Sequence, residues 1–131
     1  MSDKRKRTTQ HLDELAKLGR DLIGMQLTLA SKEPKEALNE LWVVGYCFGI
    51  FDAIAQRAKL DQYPEGIALI TIGFELLLSG PLEGAAKVRQ ALDNQTDPDF
   101  ARGNRTAGTD LFALFADTNK APMSLFNQLT N

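Results

Sequence analysis

The sequence of 131 residues contains one cysteine, Cys47, and one histidine, His11. A single cysteine cannot form a disulfide within the chain, and these counts exclude the paired Cys and His ligands of structural zinc sites. They also exclude Cys-x-x-Cys redox pairs and most catalysis by a Cys–His pair. We therefore expect neither a metal nor a cofactor.

Long hydrophobic runs are also missing. The longest, residues 41–54, is interrupted by Asp52, and the second, residues 67–78, contains Glu75. Both are too short to span a bilayer. No apolar segment follows the basic residues 1–7, as it would in a secretory signal. We expect no membrane association and a cytoplasmic location, where an unpaired cysteine stays reduced.

Neither sign of charge is in large excess. The chain has 15 Lys and Arg against 17 Asp and Glu, a formal net charge of −2. This balance disfavours a protein whose whole surface binds nucleic acid. The one basic cluster is at residues 4–7, and we expect residues 1–7 to form a flexible, solvated tail. Nucleic acid is therefore not an expected partner.

The hydrophobic pattern has the period of α-helices. No window alternates as a strand does, and no Asn-Gly or Asp-Gly hairpin signal is present. A chain of this length forms one domain with its own core. We predict a single all-α domain of residues 1–131, a bundle of about four main helices with a C-terminal arm of short helices. The predicted main helices run from Thr8 or Thr9 to the break at 31–34, then 34–58, 64–79 and 82–93; the short ones are 98–100, 110–116 and 123–129.

Two apolar helices carry unusual residues. In the first helix, Leu18, Met25 and Leu29 widen the apolar side. In the second, Gly45 and Gly49 are four residues apart, which predicts close packing against one neighbouring helix or a self-association face. The candidate neighbours are the first helix and the helix over 64–79. A Cys47 thiol in this apolar stretch is interpreted as a core residue.

Asp52 and Glu75 are carboxylates among apolar neighbours. Burying a carboxylate is costly unless it is paired, hydrogen-bonded or protonated. One interpretation is a general acid/base or ligand-binding site with Tyr46 nearby. The other is structural: each carboxylate is satisfied by an arginine, a helix N-terminus or solvent.

The segment 102–109 contains two glycines and several polar residues, and it predicts a loop before a short helix. Arg102, Arg105 and the free backbone N–H groups of such a loop can hold an anion. The alternative is a plain capping loop. The segment lacks the phosphate-loop pattern GxxxxGK[ST].

Residues 45–52, GYCFGIFD, fit the pattern GYxxGxxD, and Pro64-Glu65-Gly66-Ile67 follows before an apolar helix. In this order of motifs, residues 41–93 resemble the Rap/Tai family of immunity proteins, which neutralise peptidoglycan amidases delivered by type VI secretion. The resemblance implies a helical fold, a possible homodimer and function through protein–protein binding. Two positions where that family usually has cysteines are Val43 and Gln62 here.

We predict a protein-binding protein without catalytic residues, of immunity or inhibitor type, rather than an enzyme. The alternative is a small-ligand or enzymatic site around Asp52 and Glu75. We also expect a homodimer, because the C-terminal segments carry more apolar residues than one small core accommodates. These residues are Leu111, Phe112, Leu114, Phe115, Met123, Leu125, Phe126 and Leu129.

Overall fold

The computed structural model describes residues 3–62 and 64–131, and all regular structure in these two ranges is helical, which confirms the all-α class. None of the helices described is long and apolar enough to cross a membrane. The described residues form seven helices: α1 (Asp3–Leu29), α2 (Pro34–Ala37), α3 (Leu41–Arg57), α4 (Glu65–Leu78), α5 (Pro81–Asp93), α6 (Pro98–Ala116) and α7 (Ser124–Thr130).

Helix α3 is the centre of the fold. Its residues 43–51 are buried without interruption, and it contacts α1, α4, α5 and α6. The ring of Phe51 lies between Gly19 of α1 and Gly73 of α4, so close that a Cβ on either glycine would overlap it. The missing side chains therefore let three helices meet around one aromatic ring.

Helix α3 packs most extensively against α6, and glycines make this contact close. A Cβ on Gly45 would overlap the backbone of Phe100, and a Cβ on Gly103 would overlap the carbonyl oxygen of Trp42. One turn after Gly45, a Cβ on Gly49 would also collide with α6. The prediction that both α3 glycines face one helix is confirmed. The predicted neighbours, α1 and α4, are wrong.

Helix α6 is continuous through residues 102–109, so the predicted loop is wrong. Gly103 lowers helix propensity by about 1 kcal/mol relative to alanine, but the close contact with α3 requires it. Asp97 is the N-cap of this helix: its carboxylate accepts the backbone N–H groups of Asp99, at 2.9 Å, and of Phe100, at 3.2 Å. Tertiary packing and a good N-cap therefore outweigh the glycine content.

The predicted helix over residues 34–58 is interrupted at residues 38–40, so it is two helices, α2 and α3. Leu38 is buried at this break, and its carbonyl oxygen accepts a hydrogen bond of 3.1 Å from the Nζ of Lys87 on α5. Burial lowers the pKa of this amine. A long-range contact thus satisfies a carbonyl group at the end of α2.

Helix α1 begins at Asp3, earlier than the predicted start at Thr8 or Thr9. The backbone of residues 3–7 is helical, whereas the first two residues of the predicted tail lie outside the described residues. The flexibility of this tail stays a prediction. The C-terminal arm is one long helix and one short helix, α6 and α7, instead of a series of short ones.

Most of the C-terminal apolar side chains pack within one copy of the chain. Leu111 and Leu125 are fully buried, and Leu114, Phe115 and Leu129 are partly buried against the core. Phe112 is the exception, because 79% of it is exposed.

Candidate binding surface

Tyr46, a predicted ligand contact, is fully buried in a polar network instead. Its hydroxyl donates to Asp110 Oδ2 at 2.7 Å and accepts from Gln26 Nε2 at 3.0 Å. Burial is the largest cause that raises the pKa of Tyr46, and the Asp110 carboxylate raises it further. A phenol held in this way stays protonated at neutral pH and is unsuited to acid–base chemistry.

The same network holds α7. Asp110 accepts from the Oγ of Ser124 at 2.7 Å and from its backbone N–H at 3.2 Å. Gln26, which is fully buried, accepts the backbone N–H of Phe126 at 3.0 Å. Among the described residues no buried side-chain nitrogen or oxygen lacks a hydrogen-bond partner. The network therefore joins α1, α3, α6 and α7, and its role is structural.

Asp110 and Gln26 were not candidates in the sequence-based prediction. The sequence carries a signal for both, since Gln26 recurs at helical spacing with apolar residues and Asp110 precedes the apolar segment LFALF. A buried amide and a carboxylate need partners, but the sequence does not indicate which helices supply them.

Asp52 and Glu75 have different neighbours. Asp52 is half-buried on α3 and accepts from Gln56 Nε2 at 2.8 Å. Burial raises the pKa of Asp52, Gln56 lowers it and the nearby Asp61 raises it. Glu75 lies beneath α5, where a Cβ on Gly84 would be 2.6 Å from its Cγ. No described hydrogen bond or ion pair brings the two carboxylates together into one site.

Arg102 and Arg105 are exposed on the helix α6 instead of on an anion-binding loop. Arg102 forms an ion pair with Asp99, three residues earlier. The backbone N–H groups of residues 102–109 are inside the helix, so the predicted anion loop does not exist.

Cys47 and His11 differ in their exposure to solvent. Cys47 is fully buried in the core, and burial raises the pKa of its thiol. His11 is exposed on α1. Within the described ranges no three His, Cys, Asp or Glu side chains are grouped closely enough to hold a metal ion.

The most unusual surface is on α1. Five apolar residues recur there at alternating spacings of three and four, which puts them on one side of a helix. Two of them, Leu15 and Leu22, are partly buried against the core. Leu18, Met25 and Leu29, which the sequence places on the apolar side of this helix, are 41%, 38% and 56% exposed, so these three lie outside the core. We name these five residues the α1 stripe.

A groove lies on another side of α1, and none of its lining residues belongs to the α1 stripe. Its volume is about 550 Å³, within the usual range of binding pockets. Gly24 contributes to it, because a Cβ there would meet nothing within 4 Å. The residues that line the groove are Arg20, Gly24, Leu27, Thr28, Ser31, Lys32, Glu33, Pro34, Leu76 and Leu77.

Two cations in this groove are already paired. Arg20 Nη2 is 3.0 Å from Asp21 Oδ1, and Lys32 Nζ is 3.2 Å from Glu36 Oε1. The groove contains neither Asp52 nor Glu75.

Comparisons with family models, with curated proteins and with solved structures find no match to this chain.

Proposed function

We propose that this chain is a protein-binding protein without catalytic residues, and that the α1 stripe is the surface that receives its partner. The observation that carries this proposal is the exposure of Leu18, Met25 and Leu29 along one side of a 27-residue helix. Contiguous exposed apolar residues with polar edges are typical of interaction surfaces. The partner element that fits such a line is the apolar face of an amphipathic helix.

The purpose of this binding is a proposal that rests on the resemblance of residues 41–93 to the Rap/Tai family. Immunity proteins of that kind act by binding an enzyme and blocking it. We propose an inhibitor of this type that acts in the cytoplasm. The enzymatic alternative needs Asp52 and Glu75 in one site, whereas their described contacts are with different helices.

The test compares partner capture by three forms of the tagged, full-length chain. The double variant Leu18→Asp/Met25→Asp places charges in the α1 stripe. The matched control is Leu82→Asp, which places the same charge on α5 at a residue that is 86% exposed. Circular dichroism checks that all forms are folded.

We expect mass spectrometry to find a protein that the wild type and Leu82→Asp capture and that the double variant loses. A single buried charge typically costs more than tenfold in affinity at such a surface. The same set of captured proteins with all three forms would contradict the assignment of the α1 stripe.

A further inference from the structure

We infer that the groove lined by α1, by α4 and by the loop after α1 is a binding site for a small molecule that joins an anionic head, a carboxylate or a phosphate, to an apolar body. The groove shares no lining residue with the α1 stripe, and the inference does not depend on the protein partner proposed above.

The lining of the groove divides into a buried apolar part and a more exposed polar part. Leu27 of α1 and Leu77 of α4 are 4% and 6% exposed. Leu76 is partly buried beside them, whereas the polar lining residues are partly or fully exposed. A molecule with an apolar body and one polar head matches such a lining.

The two cations of the groove have hydrogen-bond donors to spare. A guanidinium group has five N–H donors, and Arg20 uses two of them, both toward Asp21 Oδ1 at 3.1 and 3.0 Å. An ammonium group has three, and Lys32 uses one, toward Glu36 Oε1 at 3.2 Å. Because neither Asp21 nor Glu36 lines the groove, the other N–H donors of these cations are open to a ligand.

Two hydroxyl groups add to this excess of donors. Four helical threonines elsewhere donate their hydroxyl groups to the backbone carbonyl four residues earlier: Thr71, Thr106, Thr109 and Thr130. Thr28 is also helical, but neither its hydroxyl nor that of Ser31 has a hydrogen bond within the described ranges. Both residues line the groove.

An excess of donors favours a ligand whose head accepts hydrogen bonds. Ionised carboxylates and phosphates are such heads, and their hydrogen bonds to cations are stronger than those between neutral groups. Glu33 is the one carboxylate among the lining residues, against the two cations. The existing ion pairs do not prevent binding, because their side chains are between 37% and 67% exposed, and exposed pairs contribute little stability.

Gly24 keeps the groove open. A Cβ on Gly19 of the same helix would overlap the ring of Phe51, but a Cβ on Gly24 would meet nothing within 4 Å. Packing therefore does not require a glycine at position 24, although glycine lowers helix propensity relative to alanine. Since Gly24 lines the groove, a large side chain at this position would occupy the space for the ligand without disturbing the core.

NMR titration of the full chain tests the inference with two probes, decanoate and decyl phosphate, each below its critical micelle concentration. At least one of them should bind saturably, with the largest amide shifts in residues 20–34 and 76–77, and the tighter probe identifies the head group. Decyltrimethylammonium has the same apolar body and the opposite charge. It should bind at least about tenfold more weakly, because it faces the two cations.

Variants of the groove test the assignment of its residues. Gly24→Leu should weaken binding of the anionic probes by about tenfold or more, because it fills the groove. Gly108→Leu is the matched control, since Gly108 is equally open but does not line the groove. Thermal melts should show both variants to be at least as stable as the wild type.

The cations are tested one at a time. Arg20→Gln and Lys32→Gln should each weaken binding by about three- to tenfold, because a charged donor is lost. The control Lys17→Gln removes an exposed charge of α1 that lies outside the groove and should bind as the wild type.

Three outcomes would overturn the inference: no saturable binding of either anionic probe, equal affinities of the wild type and Gly24→Leu, or equal affinities for the anionic and cationic probes. Loss of binding in Leu18→Asp would also contradict it, since the probe would then bind to the α1 stripe. The function proposed above is tested by partner capture alone, so the two can fail separately.

Discussion

The side chain of Gln26 accepts the backbone N–H of Phe126 at 3.0 Å, across one hundred residues of sequence. The same amide donates to the Tyr46 hydroxyl. One fully buried side chain therefore positions α7 against both α1 and α3.

Replacing Gln26 with alanine should destabilise the protein by about 1–3 kcal/mol, because buried hydrogen-bonding groups lose their partners. Hydrogen exchange in residues 124–130 should also accelerate, since α7 loses one of its anchors. Chemical denaturation and hydrogen exchange measure the two effects. The control is Gln10→Ala, at an exposed position of the same helix. Equal free energies of unfolding for the two variants would show that the Gln26 hydrogen bonds contribute nothing.

Gly45→Ala and Gly24→Ala should change stability in opposite directions. At Gly45 the added methyl group overlaps the backbone of Phe100, so we expect a loss of about 1–3 kcal/mol or more from overpacking. At Gly24 the methyl group meets nothing, so improved helix propensity should stabilise the protein by up to about 1 kcal/mol. Thermal melts measure whether each variant is more or less stable than the wild type. A stabilising Gly45→Ala would mean that α3 and α6 are farther apart than the structure shows.

Asp52→Asn should make the protein at least as stable as the wild type at neutral pH. Burial raises the pKa of Asp52 in the folded state, so folding favours the protonated form. The contribution of Asp52 to the free energy of unfolding is therefore most favourable below the ordinary aspartate pKa of about 4. This contribution is lost as the pH rises through the raised pKa of Asp52 in the folded state. Asparagine stays neutral and still offers an oxygen to Gln56.

The measurement for Asp52 is the free energy of unfolding from acidic to neutral pH. The advantage of Asp52→Asn over the wild type should grow as the pH rises. Asp93→Asn, at an exposed position of α5, corrects for the change in net charge. If the stability advantage of Asp52→Asn shrank as the pH rose, folding would lower the pKa of Asp52 instead of raising it.

The Cys47 thiol should resist modification in the folded protein. It is fully buried and its pKa is raised by burial, so little thiolate is present and reagents have no access. A chromogenic disulfide reagent should label it only at the rate of unfolding and should label one thiol per chain in denaturant. Rapid labelling without denaturant would indicate that the core around α3 opens locally.

The helical class and the central place of α3 could be predicted, because an almost uninterrupted apolar run requires neighbours on all sides. The N-cap at Asp97 could be predicted as well, since capping depends on adjacent residues. The continuity of α6 could not. In its local sequence, Gly103 predicts a break in the helix. A glycine is needed there because of the carbonyl oxygen of Trp42, which is far away in the sequence.

The candidate site shows the same limit. Asp52 and Glu75 stand out by their apolar neighbours in sequence, but helical geometry puts both at partly exposed edges. Met25 lies on the apolar side of its helix, as its spacing in the sequence indicates, yet it is 38% exposed. The sequence period indicates which side of a helix is apolar. How much of that side is buried depends on where the other helices pack.

The contact between α3 and α6 has a genetic consequence. At Gly45 and Gly103 the atoms that leave no room for a side chain belong to the main chain of the other helix. Every amino acid has these atoms, so no substitution at Phe100 or Trp42 can create space for a larger residue opposite. A search for second-site suppressors of Gly45→Ala should therefore return the original glycine or broadly stabilising changes elsewhere, and not a compensating partner across the helix pair.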